Sequence, residues 1–175
     1  MKTNQREIQM KKIDPQELQL QPFQLLDQTW ALLVAGVERP NPMTVSWGGF
    51  GTLWNKPMVT VYVRPTRHTF HLLNQHSEFS LNFLAEQYRG ALNLCGSRSG
   101  RDMDKWEKSK LHPLASETIA VPRVQEAFLS FECRVLAWQD FDPSRFLQKT
   151  IEKNYPNQDY HRIYWSEALA VWLAE

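Results

Sequence analysis

Residues 41–69 carry the clearest structural signal in this chain, and they read NPMTVSWGGFGTLWNKPMVTVYVRPTRHT. Within them, residues 43–48 alternate large apolar and small polar side chains, which is typical of a strand with one buried face. Residues 58–63 are rich in β-branched side chains and predict a second strand. Thr66 follows as the predicted N-cap of a helix that runs to about residue 76.

The sequence on both sides of this stretch predicts mostly strands, at residues 30–37, 78–84, 128–138, 161–165 and 168–173. Alternation in two of them predicts a buried face made by Phe79, Leu81, Phe83, Leu129, Phe131, Cys133, Val135 and Ala137. Helices are predicted at residues 86–95, with Gly96 as the C-terminal stop, and near residues 104–108. Strands joined mainly by turns, without regular β-α-β alternation, predict a mainly β, antiparallel barrel with two or three inserted helices.

Length and charge predict one domain with a terminal arm. The 175 residues carry 20 basic and 19 acidic side chains, for a formal net charge of +1. We expect a domain at residues 21–175, preceded by a polar arm at residues 1–20 whose basic side chains, such as Lys2 and Arg6, are solvated. The near-neutral charge argues against a nucleic-acid partner.

The same composition predicts a cytoplasmic protein with no membrane partner. No apolar stretch reaches the ~18 residues that a membrane span needs, and the first residues lack the apolar core of a secretory signal. Cys95 and Cys133 lie far apart without a C-x-x-C pairing. This spacing favours reduced, inert thiols.

The common catalytic and nucleotide-binding motifs are missing. The sequence contains neither the phosphate loop G-x-x-x-x-G-K-[ST] nor the nucleophile motif G-x-S-x-G, and residues 48–51 do not complete G-x-G-x-x-G. His68 and His71 are spaced to share a helix face, but no third ligand is near them in the sequence. We therefore predict no metal site.

One candidate binding surface is the second face of the strand at residues 43–48, which consists of Thr44, Ser46 and Gly48. Small, hydroxyl-bearing side chains let a flat polar ring lie close to the backbone and form hydrogen bonds at its edge. The alternative is an ordinary solvent-facing side of an antiparallel sheet.

A second candidate is R-P-T-R-H-T at residues 64–69, where a strand is predicted to end and a helix to begin. Arg64, Arg67 and His68 put positive charge at a helix start, where the helix dipole is already positive. A bound anion would remove this conflict, with further ligands in the hydroxyls of Thr66 and Thr69. The alternative is that both arginines point into water. A phosphate site beside a platform for a flat ring suits a mononucleotide.

Three segments together carry a resemblance to a known family: residues 41–69, SEFSLNFL at 77–84 and CGSRSGRDMDKW at 95–106. They contain N-x-M-T-x-S-W-G, R-P-x-R-x-T and C-G-x-x-S-G-R-D-x-D-K, which in combination are fairly specific. The sequence thereby resembles the flavin reductase-like family, the FMN-binding split barrels, and within it the flavoredoxin-like proteins. The similarity runs from about Phe23 to the C-terminus.

The resemblance implies a homodimeric, antiparallel split barrel that binds FMN near the subunit interface. It assigns the flavin ring and ribityl chain to Asn41, Thr44, Val45, Ser46 and Trp47. It assigns the phosphate to Arg64, Thr66, Arg67 and Thr69. It assigns closure of the site, from the same or the partner subunit, to Ser99, Arg101, Asp102 and Lys105.

The C-terminal part departs from the family pattern. Reductases of this family often carry a Gly-Asp-His-like segment near the nicotinamide, and residues 159–161, Asp-Tyr-His, are similar to it. This makes His161 the candidate on the nicotinamide side. Gln158 stands where glycine is common, and Trp165-Ser166 where an apolar residue and a glycine are common. These departures bear on nicotinamide use and not on flavin binding.

We therefore expect a dimeric FMN flavoprotein that takes electrons from NADH or NADPH and passes them through the flavin to a small-molecule or protein acceptor. No protein nucleophile or general base is required, because the flavin carries the chemistry. One alternative is an FMN-containing electron carrier that a partner protein reduces. Another is a β-barrel ligand-binding protein with no redox role.

Overall fold

The computed structural model describes residues 9–175. Its strands are β1 (Met10–Ile13), β2 (Ala31–Ala35), β3 (Asn41–Val45), β4 (Gly48–Leu53), β5 (Lys56–Val63), β6 (Glu78–Leu84), β7 (Pro113–Leu114), β8 (Arg123–Val124), β9 (Ala127–Asp140) and β10 (Arg162–Ala174). Its helices are α1 (Pro22–Gln24), α2 (His68–His76), α3 (Arg89–Ser97) and α4 (Lys105–Ser109). Short 3-10 helices occupy Pro15–Glu17, Glu86–Tyr88, Pro143–Arg145 and Lys149–Asn154, and a single π-helical turn occupies Leu25–Thr29.

Most of the strands form one antiparallel sheet, which curls into a barrel whose two end strands do not pair with each other. The order along the sheet is β3-β2-β6-β9-β10-β5-β4, with β1 paired to β10, and β7 pairs with β8 separately. β3 and β4 lie at opposite ends of this order, yet only Ser46 and Trp47 separate them in the chain. The two ends of the sheet must therefore approach each other without pairing. The antiparallel barrel is confirmed, and it is split between β3 and β4.

The barrel core follows the predicted alternation. Phe79, Leu81 and Phe83 of β6 pack against Leu129 and Phe131 of β9, all of them buried. The C-terminal half of β9, residues 134–140, extends beyond the core, and Val135 in it is only partly buried. β2 is buried along its whole length because a second cluster, formed with α3 and the segment before β9, covers its outer face. This double cover explains the unbroken apolar run of β2.

Two boundaries in residues 41–76 differ from the sequence prediction. The strand predicted at residues 43–48 ends at Val45, and a separate strand, β4, begins at Gly48. Helix α2 begins at His68, so Arg67 and not Thr66 is the N-cap residue. The predicted cap was wrong because side-chain capping does not start this helix, whose N-cap residue forms no such hydrogen bond.

Two further elements end later in the chain than predicted. Helix α3 continues past Gly96 to Ser97, so this glycine does not stop the helix. A Cβ there would lie 3.3 Å from the Cβ of Thr44, and glycine lets the helix approach β3 closely. The last two predicted strands are one strand, β10, because bulges between Trp165 and Ser166 and between Ala168 and Ala170 absorb the break in alternation.

The first described residues join the barrel. Met10–Ile13 pairs with Val171 to Ala174 at the end of β10. The prediction for Lys2 and Arg6 lies outside the described residues, and the division into an arm and a domain stays a prediction. Over residues 9–175, no helix has the length and hydropathy of a membrane span.

Candidate functional site

The predicted site residues come together at the split in the barrel, where β3, the start of α2 and the segment after α3 meet. They line two adjacent pockets that share Met43 and Arg67. We call the first the anion pocket, of about 160 Å³, which includes the predicted residues Asn41, Thr66, Arg67, Thr69, Ser99 and Lys105. We call the second the ring pocket, of about 190 Å³, which includes the predicted residues Thr44, Val45, Ser46, Trp47, Arg64, Arg67 and His161.

The anion pocket is strongly cationic. Arg67, Arg98 and Lys105 line it, together with His68, and no acidic side chain of the described residues does so. Hydroxyl groups of serine and threonine side chains add hydrogen-bond donors, among them Ser97. A phosphate monoester matches this set of donors, because it carries negative charge and accepts several hydrogen bonds.

Lys105 is the most unusual of these cations, since its side chain is 3% exposed. The Nζ atom donates to the backbone oxygens of Pro42 at 2.9 Å and of Cys95 at 3.0 Å. Burial lowers the pKa of Lys105 to about 8, with a further lowering by Arg67 and an opposing influence of Cys95. Neutral carbonyl groups offset a buried cation incompletely, and an anion would supply the missing charge. Lys105 reaches the pocket of its own chain.

Arg67 is the second partly buried cation of the anion pocket. Its Nη2 atom donates to the backbone oxygen of Gly96 at 2.7 Å, near the end of α3. Burial lowers the pKa of Arg67, and the charge of Arg64 lowers it further. The guanidinium is therefore positioned by the backbone of α3.

Asn41 forms the floor of the anion pocket. Its Nδ2 atom donates to Oγ1 of Thr69 at 2.9 Å, and both side chains are buried. Its Oδ1 atom is buried and accepts no hydrogen bond from the described residues. Gly100 packs directly over it, because a Cβ on Gly100 would lie 1.8 Å from that oxygen. Nδ1 of His68 likewise lacks a partner among the described residues.

The ring pocket combines small polar groups with aromatic walls. The Thr44 hydroxyl donates to the backbone oxygen of Leu92 in α3, so it fixes β3 to the helix. Trp47 is 46% exposed, and its ring centroid lies 5.1 Å from that of His161. Tyr62 completes the wall and was missed from the sequence, where its place in a regular strand gave no signal.

Arg64 takes a different role from Arg67. Its Nη1 atom donates to Asp159 at 2.7 Å and its Nη2 atom to the backbone oxygen of Asn154 at 2.7 Å. Its guanidinium also lies 5.0 Å from the ring centroid of Tyr155. Neither arginine points freely into water, and only Arg64 has a carboxylate partner among the described residues.

His161 is held as a neutral ring. The Tyr155 hydroxyl lies 2.9 Å from its Nδ1 atom. Burial, and next the charge of Arg64, lower the pKa of His161 to about 4, against an opposing influence of Asp159. His161 therefore offers hydrogen bonding and a ring face at neutral pH, without a charge.

The structure shows the local consequence of the departures at Gln158 and Ser166. Gln158 has φ +55°, in the left-handed region that favours glycine. Ser166 follows the first bulge of β10 and is fully buried, with a hydroxyl that lacks a hydrogen-bond partner among the described residues. Both positions are places where glycine fits with less strain or less buried polarity.

Two predicted residues lie outside both pockets. Arg101 and Asp102 are exposed and line a neighbouring cavity of about 940 Å³, which shares Asn41, His68, Gly100 and Lys105 with the anion pocket. Arg98 is the cation that the sequence analysis missed. Its signal was its place inside the C-G-x-x-S-G-R-D motif, at a position the motif leaves unspecified.

Comparisons with known proteins point to one family. A family model described as "Flavin reductase like domain" matches residues 26–175. An uncharacterized protein from Archaeoglobus fulgidus is 30% identical over 105 residues, which cover 60% of this chain and 59% of that relative. The aligned part is thus about three-fifths of the curated relative.

Solved structures share the fold. An FMN-binding domain of a flavin reductases-like enzyme from Shewanella baltica has a TM-score of 0.70 at 15% identity, covering 96% of this chain and 78% of that one. The flavoredoxin from Methanosarcina acetivorans has a TM-score of 0.65 at 24% identity, covering 84% of this chain and 69% of that one.

Proposed function

The chain belongs to the flavin reductase-like domain family, and on this basis we propose that it is a flavoprotein oxidoreductase that binds FMN. It would take electrons from NADH or NADPH and pass them through the flavin to an acceptor. The observation that carries the proposal is the anion pocket, where the buried Lys105 and the partly buried Arg67 have no acidic neighbour among the described lining residues. A flavin ring in the adjoining ring pocket would place its phosphate there.

The residues of the two pockets would bind different parts of FMN. Lys105, Arg67 and Arg98 would bind the phosphate, and Asn41 would lie beside the ribityl chain. The Ser46 and Trp47 segment at the split would position the ring. When bound, FMN supplies the capacity to accept a hydride and to release electrons.

Support for a nicotinamide donor comes from the position of His161. It lines the ring pocket next to Trp47 and remains uncharged. Gln158 and Ser166 stand where reductases of this family commonly carry glycine near the nicotinamide, and these departures favour the second candidate, an FMN-containing electron carrier that a partner protein reduces.

Anaerobic reduction of the purified chain with bound FMN, followed by visible absorption, distinguishes these two functions. We expect anaerobic NADH or NADPH to bleach the visible absorption of the flavin within seconds, because the reductase accepts a hydride directly. Bleaching only after addition of a reduced partner protein would support the carrier.

Saturating FMN should raise the melting temperature more than FAD does, since the anion pocket holds one phosphate group. Stabilisation by FAD alone would contradict the FMN site.

We further propose that the chain is a homodimer. Trp54 and Trp138 are more than half exposed, and large exposed aromatic side chains are frequent at subunit contacts. Light scattering in dilute buffer should give a mass near twice the 20.6 kDa of the chain. A monomer that still binds FMN would contradict this proposal.

A further inference from the structure

A further cavity adjoins the ring pocket and differs from it in chemistry. This apolar cleft has a volume of about 510 Å³ and lies between the segment around α1 and strands β4 and β5. That volume is in the range of pockets that enclose small molecules, roughly 300–1,000 Å³. Its walls are mainly aromatic, with Phe23, Phe50, Tyr62 and Phe141.

The charge of the apolar cleft restricts what it can bind. Among the described residues that line it, Asp27 is the only one with a formal charge. None of the described lining residues is a cation that could hold a phosphate or a carboxylate, and Asp27 repels both. An uncharged flat molecule suits these walls, because aromatic faces bind rings by stacking and by the hydrophobic effect.

The position of the apolar cleft connects it to the ring pocket. Ser46, Trp47 and Tyr62 line both cavities. A ring in the cleft would therefore lie beside a flavin ring in the neighbouring pocket. Phe23, on the cleft wall, is 89% exposed, so an occupant would cover apolar surface that now faces water.

We propose that this apolar cleft binds the electron acceptor, an uncharged compound of one or two fused flat rings such as a quinone. The inference rests on the proposed function, since it names the acceptor class of the same site. Conversion of a quinone to its hydroquinone takes up two electrons and two protons, the number that oxidation of FMNH2 to FMN releases. The exchange therefore balances without another reactant.

Gly49 offers a direct test of this cleft. It lines the cleft, and a Cβ added there would meet none of the described atoms within 4 Å. Gly51 lies two residues further along β4, has the same open space and lines a different cavity. Gly49→Leu thus fills part of the cleft, and Gly51→Leu is its matched control.

The probe is menadione, measured by equilibrium dialysis against the FMN-loaded and the FMN-free chain. We expect Gly49→Leu to weaken menadione binding by about tenfold or more, because overpacking removes the space for the ring. Gly51→Leu should change it less than about twofold, and both variants should retain FMN affinity. Equal menadione binding by Gly49→Leu, or none by the wild type, would overturn the proposal. So would a change from dimer to monomer in Gly49→Leu alone, which would make the cleft a subunit contact.

If Gly49→Leu does not fold, a second variant, Asp27→Asn, tests whether the apolar cleft binds the ring. Asp27→Asn should strengthen binding of 1,2-naphthoquinone-4-sulfonate about threefold, because one surface repulsion is removed, and should leave menadione binding unchanged. Unchanged sulfonate binding would refute the charge argument. Failure of the wild type to bind FMN would overturn the proposed function and with it the acceptor role, whereas menadione binding to the FMN-free chain tests separately whether the cleft binds a flat uncharged ring.

Discussion

Replacing Lys105 by Met is expected to weaken FMN binding by about tenfold to a hundredfold and to stabilise the FMN-free protein. The lost contact is a charge-assisted hydrogen bond to phosphate, worth roughly 1.5–3 kcal/mol. In the free protein, the lowering of the Lys105 pKa to about 8 reflects a buried cation, which costs about 3 kcal/mol of folding free energy. Loss of the bonds to Pro42 and Cys95 offsets part of this gain, and we expect a net stabilisation of about 1–2 kcal/mol.

Lys108 is the matched control, because it lies in the same short helix with a side chain that is 55% exposed. Lys108→Met should change the free energy of unfolding by less than about 0.5 kcal/mol and leave FMN affinity unchanged. Fluorescence titrations with FMN and riboflavin, together with urea unfolding, provide the measurements. Equal losses of FMN and riboflavin affinity in Lys105→Met would place Lys105 outside the phosphate site.

The pH dependence of FMN binding tests the same lysine. Below pH 8 both the folded and the unfolded chain hold the Lys105 proton, and the penalty for burying the cation is fully present. Between pH 8 and its ordinary pKa of 10.5, the FMN-free folded chain releases the proton while the unfolded chain keeps it. The contribution of Lys105 to stability therefore improves with rising pH. FMN affinity should fall over the same window, by up to about tenfold per pH unit, and Lys105→Met should remove that dependence.

Arg67→Ala is expected to reduce FMN affinity by about tenfold to a hundredfold and to leave riboflavin affinity unchanged. Riboflavin lacks the phosphate, so the comparison isolates the contact in the anion pocket. The FMN-free variant should be about as stable as the wild type. It loses one hydrogen bond to Gly96, and it also loses a cation whose pKa burial has lowered. Parallel losses for both ligands would show that Arg67 supports the ring pocket instead.

Arg64→Ala serves as the contrast to Arg67→Ala, since two hydrogen bonds and one cation–π contact at the edge of the ring pocket depend on Arg64. Although burial raises the pKa of Asp159, the hydrogen bond and the charge of Arg64 hold it below its usual value. Removing Arg64 leaves Asp159 without its cation and frees the Asn154 carbonyl. We expect a loss of about 1–3 kcal/mol in stability, with equal effects on FMN and riboflavin.

Much of the barrel was predictable because its strands obey a short period. Phe79, Leu81 and Phe83 alternate along β6, and their inward face needs no knowledge of distant residues. The errors fall where tertiary contacts override local signals. Gly96 has the character of a helix stop, yet the approach of α3 to Thr44 gives it another role.

For the candidate site, the sequence by itself determined which segments take part and that their basic side chains gather at the start of a helix. Those features depend on residues within one or two turns of each other, or on a motif. Only the tertiary structure decided which cation is free for an anion. Asp159, 95 positions from Arg64, neutralises that arginine, whereas Lys105 has hydrogen-bond partners among the described residues only in the carbonyl oxygens of Pro42 and Cys95. Such pairings join residues that are far apart in the chain, so they form only when the whole barrel packs, which no local pattern encodes.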